Sequence, residues 1–334
     1  MSTPPIRRYV LHVGGAQAQV LRSGPADVLT VAAGKSLHDG LALAGLLFPI
    51  CPRAHQIAAL RAAEQASGVV LPRGQAAARE MVLLSEGIFS AVWRAALSWA
   101  NVLNMPPPAA AVQDARQASQ ALEGALFQSS WARIGGASMA IDREVAGSAV
   151  TSLTRAFDAV LGLGDRICTK AQDVRIKSVT TSALNAKAEA SGNTAIAAEE
   201  TPRLLMGPAQ QAATLEPWLS AQRQHGANML AQLRQLTAEL REDTPAGMST
   251  SLNGSGFGIA MTARGRLRHA ITLQDGVIAR WSAKAPTDWN FSPNGAACCI
   301  AAALHDVSDT SASMLVAALD PCAPCDVVLE TAHA

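Results

Sequence analysis

Apolar residues along this chain follow two different rhythms. Residues 6 to 32 alternate apolar with small or polar positions: Tyr9, Leu11 and Val13 in one run, then Val20, Val28, Leu29 and Val31, separated by Gly-Gly and Ser-Gly-Pro breaks. A period of two with such punctuation predicts short strands. From Gly34 to about Asn104 the spacing becomes helical. Gly68 and Pro72-Arg73-Gly74 interrupt it, and Ala76 to Leu103 then reads as one long apolar-faced helix that carries Glu80, Glu86, Trp93 and Arg94 before Met105-Pro106-Pro107-Pro108 stops it.

Residues 109 to 245 are rich in Ala, Gln and Ser and helical in propensity, and Ser178 to Thr201 is polar enough to predict a loop. Beyond Pro245 the alternation returns in Phe257, Ile259 and Met261, in Leu267, His269, Ile271 and Leu273, and in Val277 and Ile278. With Asp275-Gly276 as a hairpin turn, this predicts a β-meander. Helical stretches at 293–304 and 311–318 follow, and then a Cys-rich tail. The sum is an α+β fold, mainly helical, with small β elements near both ends.

At 334 residues and 49% hydrophobic, the chain is long and apolar enough for one large or two ordinary domains with a substantial core. Net charge is +1 with Lys and Arg scattered, so there is no basic stripe to meet a phosphate backbone, and nucleic acid is not an expected partner. Membrane insertion is not expected either. The apolar stretch Leu41 to Ile50 is about half of the roughly 20 residues a span needs, and it reads as a buried helix leading into Cys51. No apolar run of signal-peptide length follows the basic N-terminus, which predicts a cytoplasmic protein.

Six cysteines in such a chain point to metal or thiol chemistry rather than disulfides. Two segments concentrate them: Cys51-Pro52-Arg53-Ala54-His55 and Asp320-Pro321-Cys322-Ala323-Pro324-Cys325. If the fold brings the two together, three thiolates and an imidazole surround one ion, a soft donor set suited to iron, zinc or copper. A structural zinc site of Cys51, His55, Cys322 and Cys325, a dithiol redox pair, and His55 as an ordinary core histidine are the competing readings. Cys168 and the Cys298-Cys299 pair have no metal-ligating residue types at useful sequence spacing and read as small core residues.

Together the segments resemble the two cysteine motifs of nickel-iron hydrogenase large subunits. Phe48-Pro49-Ile50-Cys51-Pro52-Arg53-Ala54-His55 is similar to the early motif from its second cysteine onward. Asp320 to Cys325 is similar to the late one, with Val328 where that motif has histidine. Between them, Arg264-Gly265-Arg266-Leu267-Arg268-His269 and Pro286-Thr287-Asp288-Trp289-Asn290-Phe291-Ser292-Pro293 resemble two further family stretches in the same order. The resemblance covers residues 36–105, with the first motif and long helix, and 254–328, with the meander and second motif. It leaves 106–250 unmatched inside what it implies is a single large-subunit-like domain.

By this resemblance Cys51 and Cys325 are the pair that bridges iron and nickel, Cys322 is one terminal nickel thiolate, and Phe48 stands in the other nickel position. A phenyl ring cannot ligate. Arg264, Leu267, Pro286 and Thr287 fall where the family cradles the cyanides and carbon monoxide of its iron, beside His55. An iron pocket kept and a nickel pocket lost is similar to the HupK/HoxV group of hydrogenase accessory proteins. That resemblance implies a non-catalytic assembly scaffold that binds Fe(CN)2(CO) transiently and holds no nickel. Its implied partners are a HypC-like maturation chaperone and a large-subunit precursor. The alternatives are a divergent hydrogenase-like redox enzyme that recruits Cys168 or Cys298, and a zinc-stabilised interaction module.

Overall fold

The computed structural model of the protein describes residues 7–14, 18–24, 28–128, 130–179, 212–246, 252–293 and 295–330. Strands β1 (Arg8–Val13) and β2 (Gln19–Ser23) form an antiparallel hairpin whose inward residues Tyr9, Leu11 and Val13 are buried. Val28–Ala32, expected as strand, is a short 3₁₀ helix. Its buried residues, Leu29 and Ala32, lie three apart, which is the 3₁₀ period rather than the strand period.

The helical stretch divides into α1 (Leu37–Leu47), α2 (Pro52–Ala66) and α3 (Arg73–Arg94), with Gly68 at φ +65° turning the chain between the last two. Ser36 caps α1 by accepting from the Asp39 N–H at 3.2 Å. The long helix does not stop at Arg94. It passes through a π-helical turn, Ala95–Trp99, and one further turn, Ala100–Val102. Arg73–Val102 is long and apolar enough to cross a bilayer, but 78% of its apolar window is buried inside the protein.

Helices α4 (Ala109–Leu126), α5 (Arg143–Gln172) and α6 (Glu216–Glu239) pack around α3. Between α5 and α6 a strand pair unforeseen in a region read as helical, β3 (Arg175–Val179) with β4 (Ala212–Thr214), is present. Most of the loop expected at 178–201 lies outside the described residues. The meander is observed as β5 (Gly254–Thr262), β6 (Gly265–Gln274) and β7 (Val277–Lys284), all antiparallel. Asp275 and Gly276 make its turn with φ of +50° and +79°, the pair of positive angles that a type I′ hairpin requires.

The meander lies directly against α2. A Cβ at Gly256 or Gly258 would strike the carbonyls of Ala62 and Ala58, so glycine at these two positions sets how closely strand and helix approach. Short helices α7 (Pro286–Asn290), α8 (Ala296–Ala303) and α9 (Asp309–Leu319) lead into β8 (Cys325–Leu329). Strand β8 pairs in parallel with β1, Tyr9 opposite Cys325, and ties the two ends of the chain together. The protein is α+β and mainly helical, with one continuous hydrophobic core joining both parts.

Candidate metal centre

Cys51 is the N-cap residue of α2, a place where Ser, Thr or Asp normally spends its side chain on the helix's first N–H groups. Its thiol makes no such bond. Glu86, reaching across from α3, does that work instead: its two oxygens accept from the N–H groups of Arg53 at 2.8 Å and Ala54 at 2.9 Å. The sulfur is therefore free of capping duty while the backbone that carries it is fixed.

From the other end of the chain, α9 stops at Asp320, a left-handed C-cap with φ +43°. This non-glycine residue in a strained conformation is held by its own side chain. Its carboxylate takes Arg94 Nη1 at 2.8 Å and Arg264 Nε at 3.0 Å. Arg264 also reaches the Asp320 carbonyl at 3.0 Å and Ser90 Oγ at 3.0 Å. The turn thus clamped continues into Cys322, whose N–H donates to Thr287 Oγ1 at 3.1 Å.

Cys51 lies within electrostatic reach of Cys322, and both lie within reach of Arg264. Burial raises the Cys51 thiol well above its usual range, and the nearby Cys322, Glu86 and Asp320 push the same way against Arg264. Burial raises Cys322 too, opposed by Arg264 and by a hydrogen bond with Thr287. Burial works against the charge of Arg264, but Asp320, Cys322 and Cys51 outweigh it and raise its proton affinity. The Arg7–Asp288 pair, 2.6 Å long, borders the Cys322 side.

Of the other expected residues, Thr287 and Pro286 are buried at the start of α7, Pro286 packs toward Gly265, and Leu267 is buried on β6. Cys325 stands apart: it opens β8, half-buried, with its sulfur 3.8 Å from the Asp326 carbonyl, and burial followed by Asp326 raises its thiol to about 12. Neither Cys51 nor Cys322 is among the groups that act on it. Cys298 sits on α8 with its sulfur 3.8 Å from the Ser292 carbonyl, and Cys168 lies on α5 near Arg223. Among the described residues no three His, Cys, Asp or Glu side chains are arranged to hold a metal ion.

His55 is part of a buried relay. Trp281 Nε1 donates to His269 Nδ1 at 2.7 Å, and His269 Nε2 lies 2.9 Å from His55 Nδ1. An indole N–H only donates, so His269 Nδ1 accepts, its Nε2 carries the proton, and His55 Nδ1 is the acceptor at the end of the row. Burial keeps both rings neutral, lowering His269 to about 3. His55 is left with an N–H to offer, not a lone pair, which suits a lining residue and not a ligand. Its ring stacks on Phe48 at 3.5 Å and 4°.

Two residues of this centre carried no assigned role in the sequence, Glu86 and Arg94. The available signal was ionisable residues in a long apolar helix: Arg79, Glu86 and Arg94 recur about two turns apart on one side of α3, and all three are buried.

Residues 180–327 match the family described as nickel-dependent hydrogenase. That span holds Arg264, Leu267, Pro286, Thr287, Cys322 and Cys325, while Cys51 and His55 precede it. The chain is 28% identical to "Hydrogenase expression/formation protein HupV" of Azotobacter chroococcum mcd 1 over 324 residues, covering 88% of each. It is 27% identical to "Hydrogenase expression/formation protein HupK" of Azotobacter vinelandii over 319 residues, again covering 88% of each. Among solved structures it is similar to the Ni-Fe-Se hydrogenase from D. vulgaris Hildenborough in the reduced state, with a TM-score of 0.65 and 15% identity, covering 93% of this chain and 94% of that one. An NAD+-reducing [NiFe]-hydrogenase gives a TM-score of 0.61 at 16% identity, covering 92% of each chain. Its fold is that of the nickel-iron hydrogenase large subunits, and the chain is a relative of the HupK and HupV hydrogenase expression/formation proteins.

Proposed function

We propose that this protein is a non-catalytic scaffold of hydrogenase maturation, acting in the cytoplasm. It holds the Fe(CN)2(CO) fragment as cargo and passes it to a hydrogenase large-subunit precursor, having received it from a HypC-like chaperone. The observation that carries this reading is that Cys51 and Cys322, far apart in sequence, lie within electrostatic reach of each other and of Arg264, with Thr287 bonded to the Cys322 N–H. Two thiolates supply soft ligands for ferrous iron, while a guanidinium and a hydroxyl satisfy cyanide nitrogens. Leu267 and Pro286 provide apolar wall, His55 an N–H, and Cys325 the outer thiol that the family resemblance adds to the set. Phe48, flat on His55 where the resemblance has a nickel thiolate, supports a carrier and not a bimetallic enzyme.

Two thiolates without a second metal hold the fragment less firmly than a closed bimetallic site, which favours release to the precursor. Infrared spectroscopy of protein purified anaerobically with the maturation machinery tests the reading. Cyanide and carbonyl stretches are expected in wild type and lost in Cys51→Ala and Cys322→Ala. Wild type lacking them ends the proposal.

A further inference from the structure

Strand β1 turns Tyr9, Leu11 and Val13 inward, and the Tyr9 hydroxyl is the one polar group those three side chains put into the interior. Tyr9 is 1% exposed, yet among the described residues its hydroxyl has no hydrogen-bond partner. A buried hydroxyl left so is costly, and phenylalanine would fill the same space without that cost. A partner that arrives from outside the fold accounts for the hydroxyl, and its location says which. The Tyr9 N–H donates to the Pro324 carbonyl at 2.9 Å, and the Tyr9 ring lies 5.1 Å from that of Phe291 at the end of α7. Cys322 is bonded to the start of the same helix through Thr287. The Tyr9 ring therefore lies between the Cys322-to-Cys325 segment and α7, the two elements that the Cys322–Thr287 bond joins. Burial, then Asp288, pushes its hydroxyl up to about 12, and Cys322 acts in the same direction, so the group stays protonated and able to donate.

We infer that Tyr9 is a binding residue whose hydroxyl donates to a cyanide nitrogen of the iron fragment held at Cys51 and Cys322. The inference rests on the scaffold reading and adds to it a donor from the N-terminal strand. Two cyanides bring two anionic acceptors, while Thr287 has a single hydroxyl proton that the Cys322 sulfur also claims. An O–H donated to an anionic nitrogen is a charge-assisted bond, stronger than one between neutral groups. It forms only when cargo is present. Loading thus replaces an unsatisfied hydroxyl with a bonded one, and part of the affinity comes from relieving a cost that the empty protein carries.

Tyr9 is the single tyrosine of the chain, so its hydroxyl is read directly by ultraviolet resonance Raman spectroscopy. Wild type expressed without the maturation machinery is expected to show a tyrosine that makes no hydrogen bond. After anaerobic copurification with that machinery the same tyrosine is expected to show as a donor. Tyr9→Phe is expected to melt no lower than wild type when empty, to hold the fragment about tenfold more weakly, and to shift one of the two cyanide stretches. A bonded tyrosine in the empty protein, no change on loading, or Tyr9→Phe with wild-type cyanide bands and retention overturns the inference. Wild type without cyanide stretches ends the scaffold reading instead, and the inference is then decided on protein given Fe²⁺ and two equivalents of cyanide. A donor signature there upholds it, and its absence overturns it.

Discussion

Helix α3 carries two buried arginines that do different work. Near its start, Arg79 meets Glu64 one to one: Nη1 lies 2.8 Å from the carboxylate, with side chains 1% and 6% exposed. Glu64 also accepts from the Gly135 N–H at 3.0 Å, and Arg79 donates to the Arg133 carbonyl, so this pair is neutral and bonded into the loop before α5. Four turns on, Arg94 shares Asp320 with Arg264, and the balance is two cations to one anion. A balanced buried pair fastens parts of a fold. A shared carboxylate instead gathers two arginines from distant segments at the turn that leads into Cys322.

The comparison fails first if the two arginines cost the same to remove. Arg79→Gln strands Glu64 in the interior, and loss of one partner of a buried pair costs about 3–5 kcal/mol, read as a large fall in Tm. Arg94→Gln leaves Asp320 with Arg264 at 3.0 Å, so its loss is expected near 1 kcal/mol, the net worth of one hydrogen bond. Equal losses in thermal unfolding would make both clusters structural and remove the distinction.

How much of this was legible in the sequence follows from the range of each interaction. The Asp275-Gly276 turn, the helix around Glu86 and the stop after Asn104 are local, and the residues beside them announce them. The pairing of β1 with β8 joins Tyr9 to Cys325 across nearly the whole chain, and no local pattern encodes it. The strand expected at Val28–Ala32 failed because four apolar residues in five fit either period, and burial of Leu29 and Ala32 decided for 3₁₀. In the centre, Cys51, Cys322, Arg264 and Thr287 were legible through short motifs. Arg94 and Glu86 were visible only as charges on a helix, since the partner of Arg94 lies 226 residues away and those of Glu86 about 33. Cys325 shows the reverse: the motif names it, but its sulfur turns to Asp326.

Glu86, between the two arginines, sharpens the comparison by pH. Burial raises it to about 7 against the pull of the Arg53 and Ala54 N–H groups and of the Arg53 charge. Its ordinary value is 4.5, so between about pH 4.5 and 7 the folded protein holds this proton more tightly than the unfolded chain does. The group therefore favours the fold most at low pH, and that contribution falls away as pH rises through 7. The shift corresponds to on the order of 3 kcal/mol. Chemical denaturation of Glu86→Gln across this window is expected to lack that downward component. An identical slope in the variant would show that Glu86 titrates normally and that the start of α2 is fixed by something else.

The smallest effect is expected at the surface. Arg8 and Asp326 lie 3.5 Å apart on the β1–β8 seam, with side chains 57% and 56% exposed. Exposed pairs of this kind contribute little, because water screens both charges and ordering two side chains offsets the attraction. The seam is held by its parallel ladder and by buried Tyr9, Leu11 and Val13, none of which depends on that pair. Asp326→Asn is accordingly expected to change stability by no more than about 0.5 kcal/mol. A loss approaching that of Arg79→Gln would mean that ion pairs stabilise this fold regardless of burial. Burial would then no longer separate the Arg79 and Arg94 clusters from an ordinary surface salt bridge, because it is burial that makes a lost partner costly.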